Sequence, residues 1–467
     1  MNEATVQTPI RPATASPGAI NARLDRLPVT RSTWLLVILL SLGGWFEFYD
    51  LFFTAYVGPG LVRSGVLTET TQAFLGFSGL DAFVAATFAG LFIGTSCLGW
   101  VPDRFGRRSI FTASLLWYTA ATIVMACQTG AFGLNLWRLV AGIGIGMEFV
   151  TIDSYLAELV PQPVRGRAFV INQSVQYSAV PVVALLAYFL VPVAPLGLEG
   201  WRWVVLIGAV GALTVWYIRR ALPESPRWLA QRGRFAEADA IVAAMETRIA
   251  AECGQPLPPP LAAVEPQTVE QGRFAELWRP PYRSRTIMLS VFNVFQTIGY
   301  YGFASWVPTL LIARGIEITH SLFYSFLIAI ANPLGPLLAW PIADKVERKW
   351  VIVWAGIGIA VFGLLFAAST QAMPLVVFGL GITFSSNLLS FGFHSYQPEL
   401  FPTRVRARAI GFVYSMSRLG AMASGFMVAY CLRSFGSTGV FALIVGSMVV
   451  VVASVGVFGP RTRLEQL

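Results

Sequence analysis

The sequence predicts an all-α membrane protein, with twelve transmembrane helices in two pseudo-symmetric six-helix bundles. Hydrophobic residues make up 55% of the 467 residues and charged residues only 12%, whereas soluble domains carry roughly 25% charged residues. The apolar residues fall into twelve segments, each close to the ~20 residues that a helix needs to cross a bilayer. A pattern of charged residues also occurs twice, 241 positions apart. A repeat of this length indicates two halves built to one plan.

The predicted bundles occupy residues 34–221 and 284–459. Between them, segment 222–283 is polar, rich in proline and contains a predicted helix near 234–250. The first 33 residues are polar and lack an apolar core or a cleavage site. They predict a disordered tail rather than a signal peptide, and 460–467 forms a second tail. The predicted spans are 34–61, 75–101, 109–129, 132–157, 167–192, 201–221, 284–313, 321–343, 350–370, 373–399, 407–431 and 437–459.

The basic residues predict the orientation of the chain in the membrane. If the N-terminus is cytoplasmic, 27 of the 33 Lys and Arg residues lie on the cytoplasmic side, as the positive-inside rule requires. Both termini are therefore expected in the cytoplasm. The net charge of +9 reflects this bias, and we expect no nucleic-acid partner. The four cysteines are scattered and form no disulfide or metal-ligating pattern.

The repeated charges lie at the ends of apolar segments. We interpret them as a gating and structural set, because an acid with nearby arginines can bridge two helices in one conformation and part in another. Cations at the carboxyl end of a helix also complement the helix dipole. Positive-inside bias alone would explain the arginines, but it would not explain acidic residues that recur at the same offset. The paired positions are Asp103 and Asp344, Arg107 and Arg348, Glu158 and Glu399, and Arg165 and Arg406, with Arg104 beside the first.

Three motifs resemble those of the major facilitator superfamily. Residues 99–108, GWVPDRFGRR, are similar to its loop signature, and residues 138–146, RLVAGIGIG, are similar to the fourth helix of its sugar porters. Residues 223–229, PESPRWL, match the stretch that these porters carry after helix six, and we add Glu224 from this stretch to the gating and structural set. The resemblance covers most of the chain. It implies the two-bundle fold, with a substrate site between the bundles and alternating access.

Charged residues within spans that the second half does not repeat are candidates for function, because each costs roughly 2.5–3.5 kcal/mol on insertion scales. The offset maps Asp50 to Val291 and Arg138 to Gly379. In proton-coupled sugar porters, an Asp at the position of Asp50 faces an Arg at the position of Arg138. Making and breaking that pair would change how tightly the carboxyl holds a proton, although a static buried ion pair is the alternative. Glu47, one turn away on the same helix face, is a reserve proton carrier.

Two further acids in spans, Glu148 and Asp153, map to Leu389 and His394 in the second half. Either could face a neighbouring helix and hydrogen-bond there. We therefore do not include them in the predicted proton-coupling set.

Arg418 lies in the middle of the eleventh span, within residues 414–420, YSMSRLG. This stretch resembles the matching helix of organic anion transporters, where an Arg occupies the same position. The planar guanidinium suits a carboxylate through two parallel hydrogen bonds and stays charged at any relevant pH. The alternative is an Arg that pairs with an internal carboxylate for packing.

Much of the hydrogen-bonding set of sugar porters is missing, since Ser290 and Val291 occupy the positions of their paired glutamines. Gln173 matches their sugar-contacting glutamine in helix five, and Gln296 falls where their helix seven has an Asn. The remaining candidates are mostly aromatic, and rings around one Arg suit a small aromatic or heterocyclic carboxylate. His394 could hydrogen-bond a ring nitrogen, but we favour a satisfied core histidine. The predicted substrate-binding residues are Arg418, Gln173, Tyr177, Gln296, Tyr300, Tyr301, His394 and Tyr49.

We therefore predict a secondary active transporter of the bacterial inner membrane, acting as a monomer, that takes up a small organic anion with protons. The chain resembles bacterial niacin and aromatic-acid transporters, so nicotinate is the best single guess. Symport would let a monoanion enter against an inside-negative potential, which opposes it by ~2.3 kcal/mol per 100 mV. The alternatives are a sugar or polyol proton symporter and a transporter-like receptor. The sequence contains no nucleophile–base set, phosphate loop or metal cluster, so we expect no enzyme activity and no cofactor.

Overall fold

The computed structural model describes residues 16–68, 74, 78–98, 100–219, 222–260, 273–343 and 346–461. The described chain is α-helical, as the sequence predicts. The first half comprises helix 1 (Arg31–Arg63), helix 2 (Gly79–Leu98), helix 3 (Arg107–Ala126), helix 4 (Ala131–Leu159), helix 5 in two pieces (Arg165–Tyr177 and Ala179–Leu190) and helix 6 (Gly200–Arg219).

The second half repeats this order. Helices 11 and 12 form one helical run that is interrupted at Gly436, where φ is 64° and ψ is −164°. Such a positive φ favours glycine. The second half comprises helix 7 (Tyr282–Ala304), helix 8 in two pieces (Ile318–Ala329 and Ala331–Ala343), helix 9 (Arg348–Ala368), helix 10 (Ala372–Glu399) and helices 11 and 12 (Thr403–Phe458).

Nine of the described helical segments are long and apolar enough to cross a membrane, and the last of them contains both helix 11 and helix 12. Helix 6 contributes a shorter apolar stretch, Gly200–Thr214. Helix 7 buries polar side chains at Asn293, Gln296 and Thr297, which lowers its mean hydropathy. With these two helices, the predicted number of twelve is confirmed.

Glycines bring helices 2 and 4 into close contact. A Cβ atom on Gly90 would lie 2.3 Å from the carbonyl oxygen of Leu139, and one on Gly94 would lie 2.2 Å from that of Ile143. Small residues at a spacing of four allow membrane helices to approach this closely. This contact fixes the helix that carries Arg138 against helix 2.

The two halves meet where helix 2 packs against helix 11 and helix 5 packs against helix 8. We call the membrane face that carries residues 16 and 461 the terminal face, and the other the opposite face. Near the opposite face, Asp81 at the start of helix 2 pairs with Arg433 near the end of helix 11. The rings of Phe88 and Tyr301 also meet edge-on across the halves, with centroids 4.6 Å apart. These contacts close the interface on that side.

The N-terminal segment contains a short helix, Pro17–Asp25, where the sequence analysis expected disorder. Its apolar side chains, including Ile20 and Leu24, pack against two helices of the intervening segment. Those helices are Pro226–Gln231 and Phe235–Cys253, the second lying where the sequence predicts one near 234–250. The expectation of disorder fails for this part of the tail because a partner surface about two hundred residues away in the chain buries its apolar side.

Ion pairs hold this N-terminal helix in place. Arg23 and Arg26 both bond Glu246, at 2.7 and 2.6 Å. Burial would raise the pKa of the Glu246 carboxyl, but the hydrogen bonds from the two arginines outweigh burial and hold the pKa below its usual range. The contribution of this carboxylate to stability is therefore present at neutral pH and is lost as the pH falls through the lowered pKa.

Candidate functional site

A cavity of about 750 Å³ lies between the two halves. Helices 1, 4 and 5 line it from the first half, and helices 7, 9, 10 and 11 line it from the second. Its wall runs from Phe52 and Tyr300, towards the opposite face, to Arg167 and Arg348 at the terminal face. The cavity is therefore reached from the terminal face.

Arg418 is a buried cation in the wall of this cavity, with 3% of its surface exposed. Its guanidinium donates to the hydroxyl of Tyr414 at 3.1 Å and interacts electrostatically with Tyr301. It lies 4.3 Å from the ring centroid of Phe149, where the face of an aromatic ring attracts a cation. Among the described residues, its buried Nε atom has no hydrogen-bond partner. Because a guanidinium has five N–H donors, this side chain keeps capacity for an acceptor from a ligand.

The predicted polar and aromatic residues of helices 5 and 7 also line the cavity. The Tyr177 side chain interacts with Tyr300, Ser390 and Gln173, which places helix 5 beside helices 7 and 10. Gln296 lies in the same wall with 7% of its surface exposed. The predicted substrate-binding residues that line this cavity are Gln173, Tyr177, Gln296, Tyr300, Tyr301, His394 and Arg418.

His394 is exposed to the cavity, so the favoured interpretation as a core histidine is wrong. Its Nδ1 atom lies 2.8 Å from the carbonyl oxygen of Ser390, and its ring stacks on Phe393 at 4.1 Å. A nitrogen bonded to a carbonyl oxygen carries the proton, which leaves Nε2 of a neutral imidazole as an acceptor. His394 can therefore accept a hydrogen bond from a ligand.

Tyr49 lies away from the cavity, which contradicts its predicted place in the substrate site. Its hydroxyl donates to the carbonyl oxygen of Val204 on helix 6 at 2.7 Å, and its ring packs on Gly208. Consecutive residues of a helix point about 100° apart, so Phe48 and Phe52 line the cavity while Tyr49 faces helix 6. Tyr49 is a packing residue.

Asp50 and Arg138 form a buried ion pair between helices 1 and 4. Arg138 also donates to the backbone carbonyl of Asp50 at 2.8 Å and to the hydroxyls of Thr54 and Thr87 at 2.7 and 2.8 Å. The other carboxylate oxygen accepts from Thr122 at 2.7 Å. All of these partners belong to the first half, and neither Asp50 nor Arg138 lines the cavity.

Three other acids of the first half differ in their surroundings. Glu47 is buried and interacts electrostatically with Arg418. Glu148 is fully buried, with the hydroxyl of Ser114 on helix 3 at 3.4 Å. Asp153 is exposed to the cavity and also interacts electrostatically with Arg418.

The sequence analysis left Asp153 out of the predicted site. The internal repeat contained a signal that could have found it, because the offset of 241 maps Asp153 on helix 4 onto His394 on helix 10, and both line the cavity. Phe149 and Tyr414 were also missed as neighbours of Arg418. Which side of a span faces the cavity depends on packing between helices, which spacing alone does not give.

The charged repeat forms equivalent ion pairs in the two halves. Arg107 on helix 3 binds Glu158 at the end of helix 4 at 3.0 Å and also pairs with Asp103. The residues 241 positions later, Arg348 and Glu399, pair in the same way between helices 9 and 10. Each pair therefore joins two helices of the same half.

The other members of the gating and structural set make local contacts. The carboxylate of Glu224 accepts from the backbone N–H of Arg108 at 3.1 Å, at the start of helix 3. Arg406 donates to the carbonyl oxygen of Phe401 at 3.1 Å. Of the remaining members, Arg104 is exposed, Arg165 is half-buried and Asp344 lies outside the described residues.

Comparisons with known proteins agree with this architecture. A family model described as "Sugar (and other) transporter" matches residues 36–467. The putative metabolite transport protein YyaJ of Bacillus subtilis is 32% identical over 449 residues, which cover 95% of this chain and 96% of that protein. The niacin transporter NiaP of Acinetobacter baylyi is 27% identical and covers 96% of this chain and 98% of that protein.

The fold also matches that of a solved transporter. The xylose transporter XylE from E. coli, in a partially occluded inward-open conformation, aligns with a TM-score of 0.73 at 18% identity, over 93% of this chain and 99% of that chain. The family match spans most of the chain and both halves, and members of the family are transporters rather than enzymes. The chain therefore belongs to the sugar (and other) transporter family of the major facilitator superfamily and is a multi-pass membrane transporter.

Proposed function

We propose that the protein takes up a small organic anion together with protons, with an aromatic or heterocyclic carboxylate such as nicotinate as the substrate. The observation that carries this proposal is Arg418. This buried guanidinium has an unsatisfied Nε atom and lies against the rings of Phe149 and Tyr414 in the cavity between the halves.

The chemistry of the cavity suits such a ligand. A guanidinium binds a carboxylate through short, charge-assisted hydrogen bonds, and the surrounding rings offer apolar faces to an aromatic ligand. Gln173 and Gln296 add side-chain amides whose N–H groups can donate to such a ligand. The exposed Arg167 at the mouth would raise the local concentration of an anion. A relative named as a niacin transporter supports nicotinate as the first ligand to test.

The basic bias of the loops supports a cytoplasmic terminal face, in a bacterial inner membrane. The cavity would then open to the cytoplasm. We assign proton coupling to the Asp50–Arg138 pair with Glu47 in reserve, in a protein that works as a monomer. Rearrangement of helices 1 and 4 during transport would separate the pair and change the proton affinity of Asp50.

A thermal-shift and binding experiment tests the anion site. Nicotinate and benzoate should stabilise the purified wild type, and Arg418→Ala should remove the effect. Hydrogen bonds to a charged group contribute about 1.5–3 kcal/mol each, so we expect the affinity to fall roughly 10- to 150-fold. Arg63→Ala is a matched control, because Arg63 is exposed and bonds the carbonyl oxygen of Pro192 outside the cavity. Equal stabilisation of wild type and Arg418→Ala by a sugar, with none by a carboxylate, would exclude an anion site.

Uptake of labelled nicotinate into proteoliposomes tests proton coupling in the same preparation. Uptake should rise as the external pH falls, and Asp50→Asn should remove this dependence. Because loss of one partner of a buried pair costs about 3–5 kcal/mol, the variant is first checked for folding. Flat pH dependence in the wild type would indicate a facilitator.

A sugar or polyol symporter is the second candidate, because Gln173 and Gln296 both line the cavity. Uptake of D-xylose or a polyol that is unaffected by Arg418→Ala would favour it. Ligand binding without accumulation would instead indicate a receptor.

A further inference from the structure

We propose that Asp153 is a second protonation site, and that a proton binds there when the substrate anion binds Arg418. This inference rests on the proposed anion site and extends it. Its starting point is the placement of two opposite charges from different halves in one cavity. Asp153 on helix 4 and Arg418 on helix 11 both line the wall and interact electrostatically.

Helix geometry places Asp153 beside the proposed anion site. Residues four apart lie on the same helix face, so Phe149, which stacks on the Arg418 guanidinium at 4.3 Å, points to the same side of helix 4 as Asp153. Asp153 is exposed to the cavity, so a proton can reach it from the terminal face. The other titratable groups around this region are Tyr414 on helix 11, His394 on helix 10, Tyr300 and Tyr301 on helix 7, Tyr177 on helix 5 and Glu47 on helix 1.

In the empty site, the Asp153 carboxylate offsets the charge of Arg418. A substrate carboxylate brings a second negative charge to the same guanidinium. Two carboxylates that share a site favour protonation of one of them. The proton moves from water to a carboxylate oxygen of Asp153, so one anion and one proton enter the site without a change in its net charge.

Linkage makes this coupling reciprocal. If anion binding favours protonation of Asp153, protonation of Asp153 favours anion binding by the same factor. The arrangement differs from the Asp50–Arg138 pair, whose hydrogen bonds are closed away from the cavity. Asp153 would couple the proton to substrate occupancy, and Asp50 would couple it to helix movement.

Calorimetric titration of the purified protein with nicotinate tests the proposal. Titrations from pH 6 to 8.5, in buffers of different ionisation enthalpy, report the protons taken up per anion bound. Carboxylic acids titrate near pH 4, so the ligand stays ionised throughout. The wild type should take up as much as one proton per anion, and its affinity should fall by up to tenfold per pH unit at the upper end. Asp153→Asn should bind without proton uptake, show a flat pH profile and bind more tightly than the wild type at pH 8.5.

Two variants make the result specific to this carboxyl. Glu148→Gln removes an acid on the same helix that lies beside Ser114 on helix 3, and it should keep the proton uptake of the wild type. Asp153→Glu restores a titratable group and should recover proton uptake.

The proposal is overturned if the wild type binds nicotinate without proton uptake, or if Asp153→Asn keeps the uptake of the wild type. It is also overturned if Asp153→Asn weakens binding equally at every pH, which would show that Asp153 only orients Arg418. If the wild type binds neither nicotinate nor benzoate, the anion site itself is wrong. That outcome is distinct from binding without proton uptake.

Discussion

At the residue scale, three consecutive residues of helix 1 have different surroundings because their side chains point in different directions. Phe48 lines the cavity, Tyr49 bonds helix 6, and Asp50 pairs with Arg138 on helix 4. The sequence located Asp50 and Arg418 because a charge within an apolar span is conspicuous. It could not separate Tyr49 from Phe48, because both are aromatic and only contacts between helices distinguish them.

Paired tyrosine variants test this difference. Tyr49→Phe removes a buried hydroxyl bonded to Val204 and should lower the free energy of unfolding by about 1 kcal/mol, with nicotinate affinity unchanged. Tyr414→Phe removes the acceptor that holds the Arg418 guanidinium and should weaken nicotinate binding several-fold. Thermal unfolding and calorimetric titration measure the two effects. Equal losses of affinity in both variants would contradict the separate roles.

At the scale of elements, the helices that cross the membrane were predictable because their apolar runs are long and regular. The Pro17–Asp25 helix was not, since its stability depends on distant partners such as Glu246. The pairing of Asp81 with Arg433 also depends on a contact between two elements that lie far apart in sequence. This pair crosses from helix 2 to helix 11 on the closed side of the interface, so it favours the conformation whose cavity opens to the terminal face.

Loss of this ion pair should shift the balance between the two conformations. The pair is open to solvent on its Arg433 side, and ion pairs in contact with solvent contribute about 0.2–1 kcal/mol, so Asp81→Asn should change the ratio of the conformations by up to about fivefold. A cysteine placed at Gly166 reports the open mouth, because this position is exposed and a Cβ there meets no atom within 4 Å. In a background without native cysteines, its maleimide labelling should slow in Asp81→Asn. The charge-reversed pair, Asp81→Arg with Arg433→Asp, should restore the rate, and unchanged labelling of the single variant would exclude a role for the pair.

At the scale of the whole molecule, the offset of 241 residues appears in the structure as two equivalent ion pairs, Arg107–Glu158 and Arg348–Glu399. The sequence predicted that these residues correspond. It could not show that each pair closes within its own half, because the choice of partner depends on how the helix ends pack. The same offset relates Asp153 to His394 across the cavity. Symmetry thus provides equivalent positions, and different side chains at those positions give the two halves different chemistry.

The exposed arginine at the mouth of the cavity, Arg167, has a consequence for the kinetics of transport. Positive charge that draws an anion into the cavity also slows its departure through the same opening, and added salt screens both effects. Release of an anionic substrate at this face should therefore limit the cycle at low ionic strength, so uptake of labelled nicotinate should speed up in Arg167→Gln and at high salt. Preloading the vesicles with unlabelled nicotinate should not raise the rate, because exchange and net import share the release step. Faster uptake into preloaded vesicles would instead place the slow step in the return of the empty carrier. For an anionic substrate, a mouth of this kind makes capture fast and release slow.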